Sequence, residues 1–406
     1  SPFPVGRDRP TFCPMEKINT DVLVAGGGVA GLMATIALAA EGVTVTCVDP
    51  VPPVTEAEMD GSDLRSTACL VPSIALMERV GLWEALAPHA APLRVMRLAD
   101  AGGVESEIRE VADFEAREIG QEVFGYNLPN WLLRREMTRF IDGLALAELK
   151  TGVGVADLLV RMDDARVTLT DGTQIAAQLV VGADGRNSFV RQALGIGART
   201  TRYGQKALVF ALEHTLPHDD ISTEIHRTGG PFTLVPLRAE EAKRRSAVVW
   251  METGARATEL FNMDNAAFTE ALNARSCGVL GHLTPVSPRR IWPIISQTTE
   301  RLSGPRTALV AEAAHVMPPI GAQGLNMSLA DIETLLDLVT GARSAGKDIG
   351  APELLARYAR ARRPDIAMRV TGVDLLNRAA MTEAQPLRDL RRIGLRALSG
   401  IGPLKQ

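Results

Sequence analysis

The 406-residue chain lacks a long apolar run, is poor in aromatic residues (4%) and contains only four cysteines. A helix that crosses a bilayer needs about 20 consecutive apolar residues, so the sequence predicts no transmembrane segment. The six histidines lack the spacing of metal ligands, and the cysteines show no C-x-x-C spacing. We therefore expect reduced thiols, a cytoplasmic location and no metal site. The cysteines are Cys13, Cys47, Cys69 and Cys277.

Hydrophobic residues (46%) and charged residues (23%) are abundant, and the formal net charge is −4. A chain of this length and composition can bury a large core, and we expect a pair of closely joined domains. Residues 1–17 are rich in proline and contain no apolar segment of the kind that signal peptides carry. They are predicted to form a disordered lead.

A glycine-rich motif follows the first apolar strand. Residues 21–25 (DVLVA) read as a short buried strand, Gly26, Gly28 and Gly31 form G-x-G-x-x-G, and an Ala-rich helical run comes next. Asp49 lies 18 positions after Gly31, at the end of a second apolar strand. Between a strand and a helix this pattern is typical of dinucleotide binding. The glycines admit a pyrophosphate to the helix N-terminus, and the carboxylate accepts a hydrogen bond from a ribose hydroxyl.

Two further segments place a carboxylate after an apolar strand. In residues 179–191 (LVVGADGRNSFVR), Asp184 follows such a strand and a short helix comes next. In residues 309–331 (LVAEAAHVMPPIGAQGLNMSLAD), Glu312 follows the strand, and a Gly-rich loop leads into a helix predicted to begin near Leu325. Either segment alone also fits an ordinary turn. A helix start offers unpaired N–H groups to a negative ligand, so the three segments in this order favour a nucleotide site.

The three segments together resemble those of the single-component FAD-dependent aromatic hydroxylases, which share the para-hydroxybenzoate hydroxylase fold. The similarity runs from about Ile18 to Lys405. Within the family, residues 229–237 and 362–365 make the chain most similar to the ubiquinone-biosynthesis hydroxylases.

The resemblance implies FAD as cofactor and NADPH or NADH as co-substrate. It also implies that the reduced flavin and O2 form a C4a-hydroperoxide, which hydroxylates the ring of a hydrophobic polyprenyl phenol. The residues that it implies in cofactor binding are Gly26, Gly28, Gly31, Asp49, Arg65, Arg134, Asp184, Glu312, Gly324, Leu325 and Asn326.

Two positions depart from the family. Glu312 stands where the family usually has Asp, which moves the carboxylate one methylene further from the backbone. The family also commonly places an Arg near the start of the helix that is predicted here around Leu132. This chain has residues 127–131 (NLPNW) at that point, and Arg134 or Arg135 could take the place of the Arg.

The sequence identifies no catalytic side chain. Pro318 and His315 are the candidates. We expect His315 to order the loop rather than to act as a base. The backbone N–H groups of Leu325 and Asn326 suit the stabilisation of negative charge on the flavin during reduction. Pro318 and its apolar neighbours suit the exclusion of water.

The resemblance implies a mixed α/β (α+β) fold in which a discontinuous Rossmann-like FAD-binding domain is joined to a β-sheet substrate domain and a C-terminal helical segment. We expect residues 18–72, 105–200 and 300–350 in the FAD-binding domain. We expect residues 73–104 and 201–299 in the substrate domain and residues 351–406 in the C-terminal helices.

The C-terminal residues 354–406 hold eleven Lys/Arg against four Asp/Glu, a net charge of +7. Near the end, arginines interleave with apolar residues at helical spacing. This pattern is typical of a helix that lies on anionic lipid, and such a helix would place the enzyme on the inner membrane face. The pattern fits equally well a helix that packs on the flavin domain. Nucleic acid is a poor partner, because no aromatic residues interleave the basic patch. The arginines are Arg388, Arg391, Arg392 and Arg396.

Three functions remain open at this point. The first is hydroxylation of a polyprenyl phenol, and the second is hydroxylation of a small soluble aromatic compound. The third is a FAD-binding reductase or scaffold in a biosynthetic complex that inserts no oxygen, which the change at Glu312 keeps open.

Overall fold

The structure, a computed structural model, describes residues 17–102, 107–227, 229–238 and 243–380. The strands in these ranges are β1 (Lys17–Ala25), β2 (Val45–Asp49), β3 (Ser66–Leu70), β4 (Ala91–Leu93), β5 (Val95–Asp100), β6 (Glu110–Glu115), β7 (Gly125–Pro129), β8 (Ala147–Thr151), β9 (Val155–Val160), β10 (Ala165–Leu169), β11 (Gln174–Gly182), β12 (Ala198–His214), β13 (Ile221–Arg227), β14 (Gly230–Pro236), β15 (Arg245–Thr253), β16 (Leu283–Pro285), β17 (Arg290–Thr299), β18 (Ser303–Gly304), β19 (Thr307–Leu309) and β20 (His315–Val316).

The α-helices in the same ranges are α1 (Val29–Ala40), α2 (Val71–Arg79), α3 (Trp83–Leu86), α4 (Asn130–Asp142), α5 (Phe189–Ala193), α6 (Gly254–Asn262), α7 (Asn265–Ser276), α8 (Gln323–Ser344) and α9 (Pro352–Ala380). Short 3-10 turns cover Ala87–His89, Ala116–Ile119 and Ala311–Ala313. None of the described helices combines the length and the hydrophobicity needed to cross a bilayer.

The first sheet has the strand order β18-β19-β11-β1-β2-β8, with the β9–β10 hairpin attached to β11. Strands β19, β11, β1, β2 and β8 all run parallel. Val22, Leu23 and Val24 of β1 are fully buried, as expected for a parallel strand covered on both faces. Helices α4 and α8 each contact α1, and all three share the apolar core of this sheet.

The second sheet has nine strands in the order β20-β17-β12-β15-β14-β13-β5-β6, with β16 paired to β12. One face is covered by α6 and α7 and holds a separate core, in which Phe210, Phe232, Trp250 and Phe268 make ring contacts at centroid distances of 5.3–6.0 Å. On the other face, Met251 belongs to the core of the first domain. A third sheet, β3-β7-β4, adjoins both.

The predicted class is confirmed: a Rossmann-like α/β domain is joined to a β-sheet domain and followed by a long helix. The segment bounds differ from those expected in two places. Residues 74–86, expected in the substrate domain, pack into the core of the first domain. Strand β6, expected in the FAD-binding domain, pairs with β5 in the second sheet. Both differences arise because α2 buries its apolar face on α8 and β6 completes a hairpin with β5.

Helix α9 connects the two domains. Near its start, the buried Tyr358 donates from its hydroxyl to Leu309 O (2.8 Å) at the end of β19. Near its end, Asn377 donates to Gln205 Oε1 (2.9 Å) on β12 of the second sheet. The predicted lead lies outside the described residues except for Lys17, which begins β1, and the predicted basic helix of residues 387–401 lies outside them entirely.

Candidate functional site

The three sequence motifs meet at one edge of the first sheet. The parallel strands β19, β11, β1 and β2 are neighbours, so their carboxyl ends point to the same edge. Glu312, Asp184, the glycine loop and Asp49 follow these four ends in that order. In open α/β sheets, ligands bind in the crevice outside the carboxyl ends of the strands.

The glycine loop fits its two neighbours closely. A Cβ on Gly26 would lie 2.3 Å from Ala183 O, and a Cβ on Gly31 would lie 1.8 Å from Gly26 O. Gly26 also has a φ of +109°, which L side chains rarely adopt. These two positions therefore require glycine for packing of the chain itself.

Gly28 differs from the other two glycines of the motif, since a Cβ there would meet no atom within 4 Å. It is the N-cap residue of α1, and no side chain bonds to that helix end. Gly28 thus leaves the positive end of a 12-residue helix without a capping side chain, which suits an anion.

Asp49 holds the loop from the adjacent strand end. Its Oδ2 accepts from Gly27 N (2.5 Å), and its Oδ1 accepts from Val51 N (2.8 Å). The carboxylate is therefore fixed beside the glycine loop. Each oxygen retains a lone pair that could accept a bond from a ligand hydroxyl.

Asp184 and Arg191 shape the middle of the edge. Asp184 Oδ2 accepts from Val190 N (3.0 Å), whereas its Oδ1 is buried and has no partner within the described residues. Arg191 is 6% exposed and donates to Ala313 O (3.0 Å), which ties the second motif to the third.

A buried ion cluster fixes the turn that carries Glu312. Asp331 of α8 is fully buried, and its carboxylate bonds His315 Nε2 (2.5 Å), Arg362 Nε (2.7 Å) and Ala311 N (3.2 Å). His315 is only 2% exposed. Because its ring is held in this cluster, His315 is better suited to ordering the turn than to acting as a base. Glu312 itself is exposed, and its negative charge acts on Arg65.

Arg65 and Arg134 converge on Asp63. The guanidinium of Arg65 binds Asp63 through two hydrogen bonds of 2.8 Å, Asn130 donates to the same carboxylate (3.0 Å), and Arg134 lies 3.7 Å away. Burial would raise the pKa of Asp63, but the hydrogen bonds and charges of Arg65, Asn130 and Arg134 together outweigh it and hold this pKa below its ordinary value. Of the two arginines proposed for the missing family Arg, only Arg134 faces this cluster, because Arg135 binds Glu136 (2.7 Å).

Helix α8 begins two residues earlier than predicted, at Gln323, with Ala322 as its N-cap. The N–H groups left without an intrahelical partner then belong to Ala322, Gln323, Gly324 and Leu325, whereas the N–H of Asn326 falls within the helix ladder. Asn326 acts through its side chain instead. It donates to Ala68 O (2.7 Å) and accepts from Leu70 N (2.9 Å), so it fastens α8 to β3.

The comparisons with known proteins agree with this geometry. The FAD binding domain family matches residues 19–372. The chain belongs to this family.

Ubiquinone hydroxylase UbiL of Rhodospirillum rubrum is 35% identical over 387 residues, which are 95% of this chain and 87% of that protein. The 3-demethoxyubiquinol 3-hydroxylase of Escherichia coli is 29% identical over 395 residues, 97% of this chain and 98% of that protein. The solved structure of p-nitrophenol 4-monooxygenase PnpA from Pseudomonas putida shares the fold, with a TM-score of 0.78, 17% identity and 96% coverage of each chain. The predicted resemblance is confirmed, and the flavoprotein is an FAD-dependent monooxygenase.

The residues at the edge fit FAD. A Cβ on Gly28 would meet no atom within 4 Å, so this position leaves room for a pyrophosphate, and the unpaired Asp184 Oδ1 is available to accept from a ligand hydroxyl. Arg134 Nε is buried without a partner among the described residues and remains available as a donor. The N-terminus of α8, which follows the loop of Pro318, offers further N–H groups to a ligand carbonyl.

Sequence reasoning missed several residues that shape this site. Asp63 had a local signal, since it precedes Arg65 by two positions, but its bonds to Asn130 and Arg134 connect distant segments. In the sequence Asp331 is only the last residue of the Gly-rich segment, whereas in the structure it is the centre of the buried cluster. Trp292 of β17 had no signal at all, and its ring lies 5.0 Å from the Arg65 guanidinium.

Proposed function

We propose that this flavoprotein hydroxylates the aromatic ring of a hydrophobic polyprenyl phenol in ubiquinone biosynthesis, using NAD(P)H and O2. The observation that carries the proposal is its relationship, over 95% and 97% of the chain, to two proteins named as hydroxylases of ubiquinone and demethoxyubiquinol. A third relative, the COQ6 monooxygenase of Rattus norvegicus, is named for the same pathway and is 26% identical over 435 residues, 95% of this chain and 89% of that protein.

Bound FAD, once reduced by NAD(P)H, supplies activated oxygen to the ring. The protein must hold the cofactor, stabilise negative charge at the flavin and keep water out. In this proposal Gly28 and the start of α1 hold the pyrophosphate, and Asp49, Asp184 and Glu312 accept from the hydroxyls of the cofactor. The free N–H groups at the start of α8, among them that of Leu325, face negative charge on the flavin ring.

The substrate side of the proposal rests on one face of the second sheet. Thr233 is paired with Val249, and Val235 with Ala247, so these side chains share the face that Met251 turns towards the first domain. Thr233, Val235 and Val249 remain partly exposed. A partly exposed, mostly apolar sheet face beside a flavin suits a hydrophobic ring.

The test is product analysis with the purified, FAD-loaded protein. With NADPH, 18O2 and a prenylated phenol, mass spectrometry should find one 18O atom in the product, and a deletion strain should accumulate a quinone precursor that lacks one ring hydroxyl. NADPH oxidation that yields only hydrogen peroxide would support the non-oxygenating alternative. Equal turnover of a prenylated phenol and a small soluble phenol would support a hydroxylase of soluble aromatics.

We also propose that the enzyme acts at the bilayer surface through its basic C-terminal segment, because a polyprenyl tail partitions into lipid. Each surface Arg contributes roughly 1 kcal/mol on an anionic membrane, and less as salt rises. Reversing Arg388, Arg391, Arg392 and Arg396 to Glu should lower co-flotation with anionic vesicles at low salt and leave FAD content unchanged. Flotation that is indifferent to salt and to the reversal would favour packing of this segment on the protein, or on a partner in a biosynthetic complex.

A further inference from the structure

The three-stranded sheet turns a face of small side chains towards the second sheet. Asn127 of β7 is paired with Ala68 of β3 and with Ala91 of β4, and directly paired residues project from the same face. The opposite face carries Tyr126 and Leu128 into the first core. Asn127 is thus a polar side chain whose paired neighbours on both adjacent strands are alanines.

The three-stranded sheet, with Arg65 directly before β3, contacts the second sheet at two points. Asn127 Nδ2 donates to Pro236 O (2.8 Å) at the end of β14, and the guanidinium of Arg65 stacks on Trp292 at 5.0 Å. Ala68 of the three-stranded sheet and Val235 of the second sheet are apolar and remain partly exposed. Both sheets therefore keep apolar surface that the described residues leave uncovered.

The amide of Asn127 is buried, being 1% exposed, and its orientation is fixed. Turning it over would place its oxygen against the carbonyl oxygen of Pro236, so Nδ2 must be the atom that donates there. Oδ1 is left buried with no hydrogen-bond partner among the described residues. A buried acceptor without a donor is costly and calls for a ligand group that supplies one.

We propose that Asn127 Oδ1 accepts a hydrogen bond from the phenolic hydroxyl of the substrate ring and thereby selects phenols over rings that lack this donor. The inference rests on the proposed function, since it assigns a residue to the recognition of the same substrate. A site built to bind a hydroxyl rejects an analogue without it, because the buried acceptor is then left unpaired. Asn127 binds and orients the ring, and no step of the oxidation passes through it.

The test is a binding experiment that needs no turnover. The FAD-loaded protein is titrated with 4-heptylphenol and with its methyl ether, 4-heptylanisole, and binding is followed by the change in the flavin absorption spectrum. Wild type should bind the phenol at least about tenfold more tightly than the ether. Asn127→Val should lose that preference by weakening phenol binding, with ether binding nearly unchanged. Equal affinity of wild type for the two compounds would overturn the proposal, whatever the variant does.

Two further variants separate recognition from folding. Asn127→Asp keeps an acceptor but cannot donate to Pro236, so the preference for the phenol should persist even if stability falls. Asn273→Val, on α7 of the substrate domain, removes an amide whose oxygen and nitrogen both bond Leu283, and it should leave the preference intact. A loss of FAD affinity in Asn127→Val with an unchanged phenol preference would assign the acceptor to the flavin ring and contradict the proposal. If wild type shows the preference but oxygenates no phenol, the proposed function fails and the binding role stands.

Discussion

Replacing Gly28 with valine should yield a folded protein without FAD. The backbone of Gly28 has φ −70° and ψ 174°, an extended conformation that valine adopts without strain. A Cβ at this position meets no protein atom within 4 Å, so the new side chain enters only the space assigned to the pyrophosphate. The cost to the protein is the replacement of an N-cap glycine by a poor N-cap residue, about 1 kcal/mol.

The cost to the cofactor is larger. If the pyrophosphate loses two charge-assisted hydrogen bonds to the helix start, each worth about 1.5–3 kcal/mol, FAD affinity falls by about 3–6 kcal/mol, or roughly 150- to 25,000-fold. Free FAD at 100 times the wild-type dissociation constant stabilises the wild type by about 2.7 kcal/mol. The variant should gain almost nothing at the same concentration.

The assay is an FAD titration of apoprotein by flavin fluorescence, combined with thermal unfolding with and without FAD. Gly341→Val is the matched control, because Gly341 is exposed, also has an open Cβ position and lies near the C-terminal end of α8, 18 residues after the start of that helix. Gly31→Ala provides the contrast: its Cβ would lie 1.8 Å from Gly26 O, so the apoprotein itself should be destabilised. Full FAD occupancy in Gly28→Val would refute the assignment of the pyrophosphate to this helix start.

Three other predictions follow from the site. Glu312→Ala should weaken FAD binding by about 1.5–3 kcal/mol, or roughly 10- to 150-fold, and Glu312→Asp should weaken it by much less. Equal FAD affinity of the wild-type and Glu312→Ala apoproteins would show that the carboxylate points elsewhere. Asp331→Asn should lower the free energy of unfolding in urea by about 3 kcal/mol, since it leaves buried Arg362 poorly compensated, and a loss below about 1 kcal/mol would contradict the role of the cluster. Despite burial, Arg65, Asn130 and Arg134 together hold the pKa of Asp63 below its ordinary value. Their contacts with the carboxylate therefore stabilise the fold above about pH 4, and this contribution is lost as the pH falls through the lowered pKa. The stability difference between wild type and Asp63→Asn should therefore shrink below about pH 4 in urea unfolding, and a difference that does not change with pH would count against this ion pair.

The sequence by itself determined the fold class and the sheet edge at which the candidate cofactor-binding residues meet. Each motif is local: an apolar strand, then a glycine or carboxylate, then a helix, and these residues lie next to one another in the chain. Parallel strands must place their carboxyl ends at one edge, so the positions of Gly28, Asp49, Asp184 and Glu312 follow once the strands are recognised. Even here the start of α8 was misplaced by two residues, because Ala322 adopts a left-handed φ of +55° that a sequence does not display.

Only the tertiary structure decided which distant side chains complete the site. Asp331 bonds His315 and Arg362 across 16 and 31 positions, and Asn127 reaches Pro236 across 109. Such pairs leave no periodic signal, since a buried carboxylate or amide is satisfied by whatever donor the packing brings to it, wherever that donor lies in the chain. The second sheet, assembled from β5 and β6 together with strands more than 80 positions later, depends on the same long-range packing.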